Sequence, residues 1–336
     1  MSFCLNPKTV EIIDNYIEKF EDFNCRISIS CSMDGLIVDK INRPFYKNTD
    51  KLKTAEYYKR IIGFCTRHGY GYHPMISASS LKYQKENYKT WLEILHLTFP
   101  DEKIFKSKFG HVMQLMVRNN DWTDEYIKEY IDWLNFLIET DKKEYFDNSN
   151  KVLLDNIYTN KVNSYLDLTF LPYQVSEFPT FSCTIGKMLC VRLGDLAICP
   201  CHRTSYDKYL FGKYEVENDK IVGIKANNVQ LASAIYLTST LIKPKCAECP
   251  LVTMCVKGCL GCQYENTNDI FYPVESVCNL FKVSYLFLNM KFKKMIKEDH
   301  LNMAAYGALV KLDEIIKNML RNEDFSEWIK YIQNLI

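Results

Sequence analysis

Eight cysteines in the second half of the chain constrain its fold more than any other sequence feature. They follow the spacing C-x10-G-x4-C, then C-x2-C-x5-C-x3-C after a gap, and a last cysteine after a second gap. This set, called the cysteine ladder below, consists of Cys183, Cys190, Cys199, Cys246, Cys249, Cys255, Cys259 and Cys278, and its glycine is Gly194. A lone C-x2-C would equally suit zinc or redox chemistry. Eight thiolates, however, are the number that two four-iron clusters need at four ligands each.

The composition of this 336-residue chain favours metal ligation over disulfide bonding, in one large domain or two moderate ones. The N-terminus has no basic segment followed by an apolar block, so we expect a soluble, cytoplasmic protein whose 14 cysteines stay reduced. Lys and Arg (42) nearly balance Asp and Glu (41), which argues against nucleic acid as a partner. No stretch approaches the roughly eighteen apolar residues of a membrane-spanning helix, so no membrane partner is expected.

The first 145 residues alternate short strands with longer helices. Helical periodicity, N-cap residues and a closing glycine predict helices from Pro7 to about Phe20, from Asp50 to Gly69, from Tyr83 to Leu97 and after Thr123. Residues 25–33, 72–77 and 111–117 are predicted strands. Strands that alternate with helices of this length predict βα units and a parallel sheet.

The rest of the chain follows a polar stretch at residues 141–151 that we take as the domain boundary. We expect a linker over residues 146–180 and strand structure over 188–200. Residues 213–224 predict a hairpin that turns at Asn218-Asp219. Residues 283–336 carry apolar side chains at helical spacing and predict C-terminal helices that serve packing.

The cysteine ladder resembles the SPASM domain, the C-terminal extension of many radical S-adenosylmethionine (radical SAM) enzymes, which carries two auxiliary [4Fe-4S] clusters. The match covers residues 181–282. The resemblance implies that the first cluster binds Cys183, Cys190, Cys199 and Cys259, and that the second binds Cys246, Cys249, Cys255 and Cys278. Two structural zinc sites of four cysteines each are the alternative. Cys201 and Cys262 are expected to be spare thiols.

Residues 31–45 resemble the end of the fourth strand of a radical SAM barrel, where a Ser-x-Asp-Gly signature is followed by an Arg. The family uses these Ser and Arg positions to contact the methionine part of SAM, which implies Ser32 and Arg43. A simple turn at Asp34-Gly35 is the alternative. The implied fold is α/β: residues 1–145 form the last three βα units of a partial (β/α) barrel, followed by a small α+β SPASM domain and the C-terminal helices.

A radical SAM enzyme also needs a C-x3-C-x2-C loop after its first strand, where a third cluster binds SAM. Only two cysteines, Cys4 and Cys25, precede residues 31–45, so no C-x3-C-x2-C loop lies ahead of that segment. We therefore expect a second polypeptide, an upstream segment or another copy of the chain to supply the first half of the barrel. Such a partner would also cover the strand edge at residues 25–32, and SAM and the third cluster are expected only in its presence.

The resemblance implies radical chemistry on a peptide or protein side chain. A 5'-deoxyadenosyl radical would abstract a hydrogen atom, and the auxiliary clusters would bind substrate or remove an electron. Residues 117–122 and 258–265 resemble segments of peptide-maturing members. Pro200 stands where sulfatase-maturing members carry an Asp base, so sulfatase maturation is not expected.

No catalytic residue is assigned from the sequence. His202 and Arg203 follow the first ladder segment and could meet substrate, but a structural role in the loop is the alternative. His73 and His111 lie on predicted barrel strands and carry no assignment. The alternative function is a non-catalytic iron–sulfur protein that transfers electrons or binds peptide beside a complete radical SAM enzyme, and a zinc-stabilised scaffold is a third possibility.

Overall fold

The structure is a computed structural model that describes residues 6–21, 31–32, 35, 37–38, 51–70, 72–73, 75–98, 114–115, 122–147, 190–192, 194–238, 244–252, 260–298 and 303–336. Over these ranges the chain is mostly helical, with one small antiparallel sheet and two short parallel strand pairs. It divides into two compact units. The first comprises Met1–Met116 and Asp132–Phe136, and the second comprises Val117–Ile131 and Leu137–Ile336.

The first unit alternates helices and strands as the sequence predicts. In chain order its described elements are α1 (Pro7–Glu21), β1 (Cys31–Ser32), α2 (Lys51–His68), β2 (Tyr72–His73), β3 (Met75–Ile76), a 3-10 segment (Ala78–Tyr83), α3 (Gln84–Thr98) and β4 (Gln114–Leu115). β1 pairs with β2 and β3 pairs with β4, both in parallel. The predicted parallel pairing is therefore present in the described strands, and a partial barrel stays a prediction.

The turn after β1 requires a glycine. Gly35 has a φ of +97°, and a Cβ at this position would lie 2.5 Å from the Asn87 side-chain oxygen. The Gly35 N–H donates to the Tyr58 hydroxyl at 3.0 Å. The same Asn87 oxygen accepts the N–H groups of Ile37 (3.1 Å) and Val38 (3.3 Å). Helices α2 and α3 thus hold Gly35, Ile37 and Val38, and the glycine of the Ser-x-Asp-Gly signature has a steric explanation.

The second unit contains a four-stranded antiparallel sheet in the order β5-β6-β7-β8. Its strands are β5 (Cys190–Arg192), β6 (Ala197–Cys199), β7 (Gly212–Glu217) and β8 (Lys220–Ala226). The β7–β8 hairpin turns at Asn218 and Asp219, which have φ values of 51° and 60°. Two consecutive positive φ values define a type I′ turn, and the predicted hairpin is confirmed.

The second unit is otherwise helical. Its described helices are α4 (Asp124–Asp147, of which 132–136 belong to the first unit), α5 (Val229–Thr238), α6 (Pro244–Ala247), α7 (Leu260–Thr267), α8 (Glu275–Lys297), α9 (Met303–Asn322) and α10 (Ser326–Leu335). α8 is buried along most of its length, and even Lys291 is 2% exposed and pairs with Glu139. The predicted C-terminal helices are confirmed. None of the described helices is long and apolar enough to cross a membrane.

Candidate functional site

Cys190 and Cys199 lie directly opposite each other in the antiparallel β5–β6 pair. The Cys199 thiol donates to the Cys190 carbonyl oxygen at 3.4 Å. The two strands connect through a tight turn in which Leu196 has a φ of 58°. The hairpin therefore brings two ladder cysteines together.

Arg192 holds the loops around these two cysteines. Its guanidinium donates to both carboxylate oxygens of Asp195, at 2.9 and 2.5 Å. It also donates to the Ser205 carbonyl oxygen at 2.8 Å and to the Asp207 carboxylate at 2.9 Å. The hydrogen bond from Arg192 lowers the pKa of Asp195 to about 2. One side chain thus ties the β5–β6 turn to the segment that follows Cys199.

The environment raises the pKa of the Cys190 and Cys199 thiols. For Cys190 the largest cause is burial, followed by the charge of Cys201, and the His202 amide acts in the opposite direction. For Cys199 burial again comes first, followed by Cys190 and Cys201. Both thiols therefore hold their protons at neutral pH unless a cation binds them. Metal binding here would release protons and would weaken as pH falls.

Cys201 has a structural role in the loop. It begins the 3-10 turn His202–Thr204, and its sulfur accepts the Arg203 N–H at 3.3 Å. Its own N–H donates to the Thr204 hydroxyl at 3.1 Å. These contacts make Cys201 the cap of a turn, and its role as a spare thiol stays a prediction.

The turn His202–Thr204 packs tightly against α7. A Cβ on Gly261 would lie 2.5 Å from the Arg203 Cβ and 3.0 Å from the Arg203 carbonyl oxygen. The Arg203 guanidinium pairs with Glu265 at 2.6 Å, with side chains 18% and 28% exposed. Cys201 also packs against the buried cluster that contains Leu260. Close packing at Gly261 and the Arg203–Glu265 ion pair therefore hold the loop after Cys199 against the start of α7.

Three further ladder cysteines line one cavity in the second unit. Cys246, Cys249 and Cys278 all contribute to the wall of this space of about 840 Å³. Cys246 lies in α6, and its carbonyl oxygen accepts a hydrogen bond from the Cys249 N–H at 3.1 Å. Cys278 lies near the start of α8. A short turn and a helix start thus bring cysteines from two distant chain segments to the same cavity, which we call the thiol cavity.

The thiol cavity also has charged and polar walls. Asn279 donates to Asp124 at 3.3 Å, and Lys282 donates to Glu323 at 2.5 Å. Two buried polar atoms on residues of the wall, the Trp122 indole nitrogen and the Ser276 hydroxyl, have no hydrogen-bond partner among the described residues. Cys246, Cys249 and Cys278 are ligands of the kind that an iron–sulfur cluster takes, and the fourth predicted ligand, Cys255, lies outside the described residues.

The remaining predicted ligands fall outside the described residues. They are Cys183, Cys255, Cys259 and Arg43. Ser32 is described only through its strand pairing with His73. Within the described part of the chain, no three His, Cys, Asp or Glu side chains are grouped closely enough to hold a metal ion. Each predicted set of four cysteines includes at least one of these undescribed residues, so neither set can be assembled from the described residues.

A second cysteine spacing is easily overlooked in this sequence. Cys255, Cys259 and Cys262 form a C-x3-C-x2-C pattern, the same spacing as the SAM-binding loop, inside the ladder. Cys262 is 1% exposed in α7, and its sulfur accepts a hydrogen bond from Asn266 at 3.5 Å. Its burial in a packed helix favours a structural role, and the other two cysteines already belong to the ladder.

Comparison with known proteins gives distant structural similarity only. No protein-family model matches the chain. No curated protein matches it either. Among solved structures it is similar to hexahistidine-tagged anSMEcpe with bound AdoMet, with a TM-score of 0.48 and 15% identity over 84% of this chain and 68% of that chain. Native anSMEcpe with bound AdoMet and Cp18Cys peptide gives 0.46 and 13% over 87% and 81%. Similarity at this level does not establish a shared fold or function.

Proposed function

We propose that this chain is an iron–sulfur protein of the radical SAM/SPASM type that takes part in modifying a peptide or protein side chain. The observation that carries the proposal is the convergence of Cys246, Cys249 and Cys278 on the thiol cavity. The resemblance to the SPASM domain implies that these three cysteines and Cys255 bind one cluster. Cys255 lies between Cys249 and the start of α7, on the same stretch of chain.

The geometry also supports a separate site for the first cluster. Cys190 and Cys199 face each other, and the loop after Cys199 packs against the start of α7 through Arg203 and Gly261. In the sequence Cys259 directly precedes α7. The resemblance to the SPASM domain implies the interleaved assignment, in which Cys259 joins Cys190 and Cys199 and not the thiol cavity.

A bound auxiliary cluster would supply one-electron transfer or an iron atom to which substrate binds. The chain's own residues prepare the first site for it. Arg192 ties the β5–β6 turn to the segment that follows Cys199, through Asp195, Ser205 and Asp207. Because the thiols of Cys190 and Cys199 hold their protons before binding, the positive charge of iron is what stabilises their thiolates.

SAM binding is the second part of the proposal. Ser32 precedes the turn fixed by Gly35, and we propose that Ser32 and Arg43 contact the methionine part of SAM. Anaerobic incubation with SAM and a strong reductant, with and without a candidate first-half partner, would test this by the release of 5'-deoxyadenosine. Iron–sulfur clusters without SAM cleavage under either condition would favour the non-catalytic partner role.

Elemental analysis tests the cluster assignment. The chain would be purified without oxygen, and iron, acid-labile sulfide and zinc would be measured per chain. Two four-iron clusters predict about eight irons and about eight sulfides. About two zinc ions without sulfide would contradict the proposal and support the structural zinc alternative.

A further inference from the structure

We propose that the outer edge of strand β8 binds an extended peptide segment in which apolar and acidic residues alternate. β8 (Lys220–Ala226) is the last strand of the sheet β5-β6-β7-β8, and no described strand pairs with its outer side, which we call the β8 edge. The inference goes beyond the proposed function, because this edge contains none of the predicted ligands and binding there requires neither a cluster nor SAM.

The strand register shows which backbone groups point out of the β8 edge. The Asn227 N–H donates to the Phe211 carbonyl oxygen at 2.8 Å, which continues the β7–β8 register by one residue. In an antiparallel pair, positions that exchange hydrogen bonds alternate with positions that do not. Ile224 and Ala226 are therefore the positions whose N–H and C=O groups point away from β7. These groups can pair with the backbone of an added strand.

One face of the β7–β8 hairpin is apolar and exposed. Tyr214 lies opposite Ile224, and Val216 lies opposite Ile221. The bulge in this pair adds Val222 to β8 and leaves the alternation of β7 intact, so all four paired side chains share one face. Val216, Ile221 and Ile224 are 43%, 62% and 56% exposed. Apolar side chains on an added strand would cover part of this face, which is favourable because it removes apolar surface from water.

The opposite face of the hairpin carries positive charge at the β8 edge. β8 contains two lysines and no acidic residue. Lys220 has Glu217 opposite it, but Lys225 lies opposite another lysine, Lys213. Like charges directly opposite each other are unfavourable, so a carboxylate on the free side of Lys225 would stabilise this pair of strands.

These three features together determine the occupant. The free backbone groups require an extended chain, and the side chains of an extended chain alternate between the two faces. Side chains beside Ile224 should therefore be apolar, and those beside Lys225 should be acidic. A second copy of β8 would bring further lysines to the edge and no carboxylate, so charge favours an acidic peptide over self-pairing.

The test is the fluorescence anisotropy of a labelled, end-capped Val-Glu-Val-Glu-Val peptide titrated with the full chain. The wild-type chain should bind it saturably and in preference to Val-Lys-Val-Lys-Val. Lys225→Glu should weaken binding of the glutamate peptide about tenfold and strengthen binding of the lysine peptide, because an attractive cross-strand pair becomes a repulsive one. This variant should fold, since it places a carboxylate opposite Lys213. Lys330→Glu makes the same charge change at an exposed position in α10 and should bind like the wild type.

Backbone methylation separates strand addition from non-specific adsorption. Two further peptides would carry N-methyl groups on all valines or on all glutamates. Only alternate residues of an added strand bond to β8, so one methylated peptide should lose binding and the other should keep it. Equal binding of the two, an unchanged affinity in Lys225→Glu, or no saturable binding by the wild type up to about 1 mM would overturn the inference. The iron and sulfide content decides the proposed function separately.

Discussion

Gly261→Ala tests the contact between the Cys199 loop and α7. The added methyl carbon would lie 2.5 Å from the Arg203 Cβ and 3.0 Å from its carbonyl oxygen. Favourable contacts between carbon atoms need about 3.5–4.0 Å, so the loop and the helix must separate by about 1 Å. The Arg203–Glu265 ion pair links the same loop and helix and would oppose their separation.

The size of the effect can be worked out by comparison with Gly63→Ala. Gly63 lies within α2, and a Cβ there would meet no atom within 4 Å. Alanine in place of a helical glycine normally stabilises a protein by up to about 1 kcal/mol. Both variants receive this gain, but only Gly261→Ala adds an overpacking cost of about 1–3 kcal/mol. We therefore expect Gly261→Ala to be less stable than Gly63→Ala by about 1–3 kcal/mol.

Urea unfolding of both variants and the wild-type chain measures this difference. The unfolding midpoint should rise in Gly63→Ala and should stay level or fall in Gly261→Ala. The iron content of Gly261→Ala should also fall, because the contact between α7 and the loop after Cys199 positions Cys199 relative to the segment that carries Cys259. A Gly261→Ala chain that gains as much stability as Gly63→Ala, with full iron, would refute the proposed contact.

Three further predictions concern individual groups. Gly35→Ala should lower the free energy of unfolding by about 2 kcal/mol or more, measured by chemical denaturation, because φ is +97° and the methyl group would overlap Asn87. The pKa of Asp195 lies at about 2 in the folded chain, below its ordinary value of 3.8, so its stabilising pair with Arg192 is complete above 3.8 and is lost as pH falls through about 2. Carboxyl NMR should show this midpoint, and Arg192→Gln should move it toward 3.8. Iron retention near Cys190 should decline as pH falls, because protons compete for a thiol whose pKa is raised, and retention that does not depend on pH would contradict this.

Local sequence rules predicted much of the fold. Asn218-Asp219 predicted the hairpin because both residue types tolerate positive φ. The βα alternation predicted parallel pairing, which joins β1 to β2 and β3 to β4, although the single strand predicted over residues 72–77 is divided into β2 and β3. The requirement for Gly35 was less visible, because it depends on Asn87, which is distant in the sequence and reaches the turn only in the folded unit. The predicted linker over 146–180 lies almost wholly outside the described residues and stays a prediction.

The candidate cysteine ligands could be found from the sequence, but the contacts that depend on packing could not. The resemblance to the SPASM domain implied the two sets of cysteines, which stay a prediction, and Cys246, Cys249 and Cys278 line one cavity. The role of Gly261 follows from a contact with Arg203 that no periodic pattern encodes.

The most direct test of the account is the iron and sulfide content of paired cysteine variants. Cys199→Ser and Cys278→Ser should each leave about four irons per chain, and the double variant should leave none. Cys201→Ser is the control and should keep about eight irons, because serine is a good cap for the turn that Cys201 begins. Zinc in place of iron and sulfide, or loss of all iron in either single variant, would contradict two separate cluster sites.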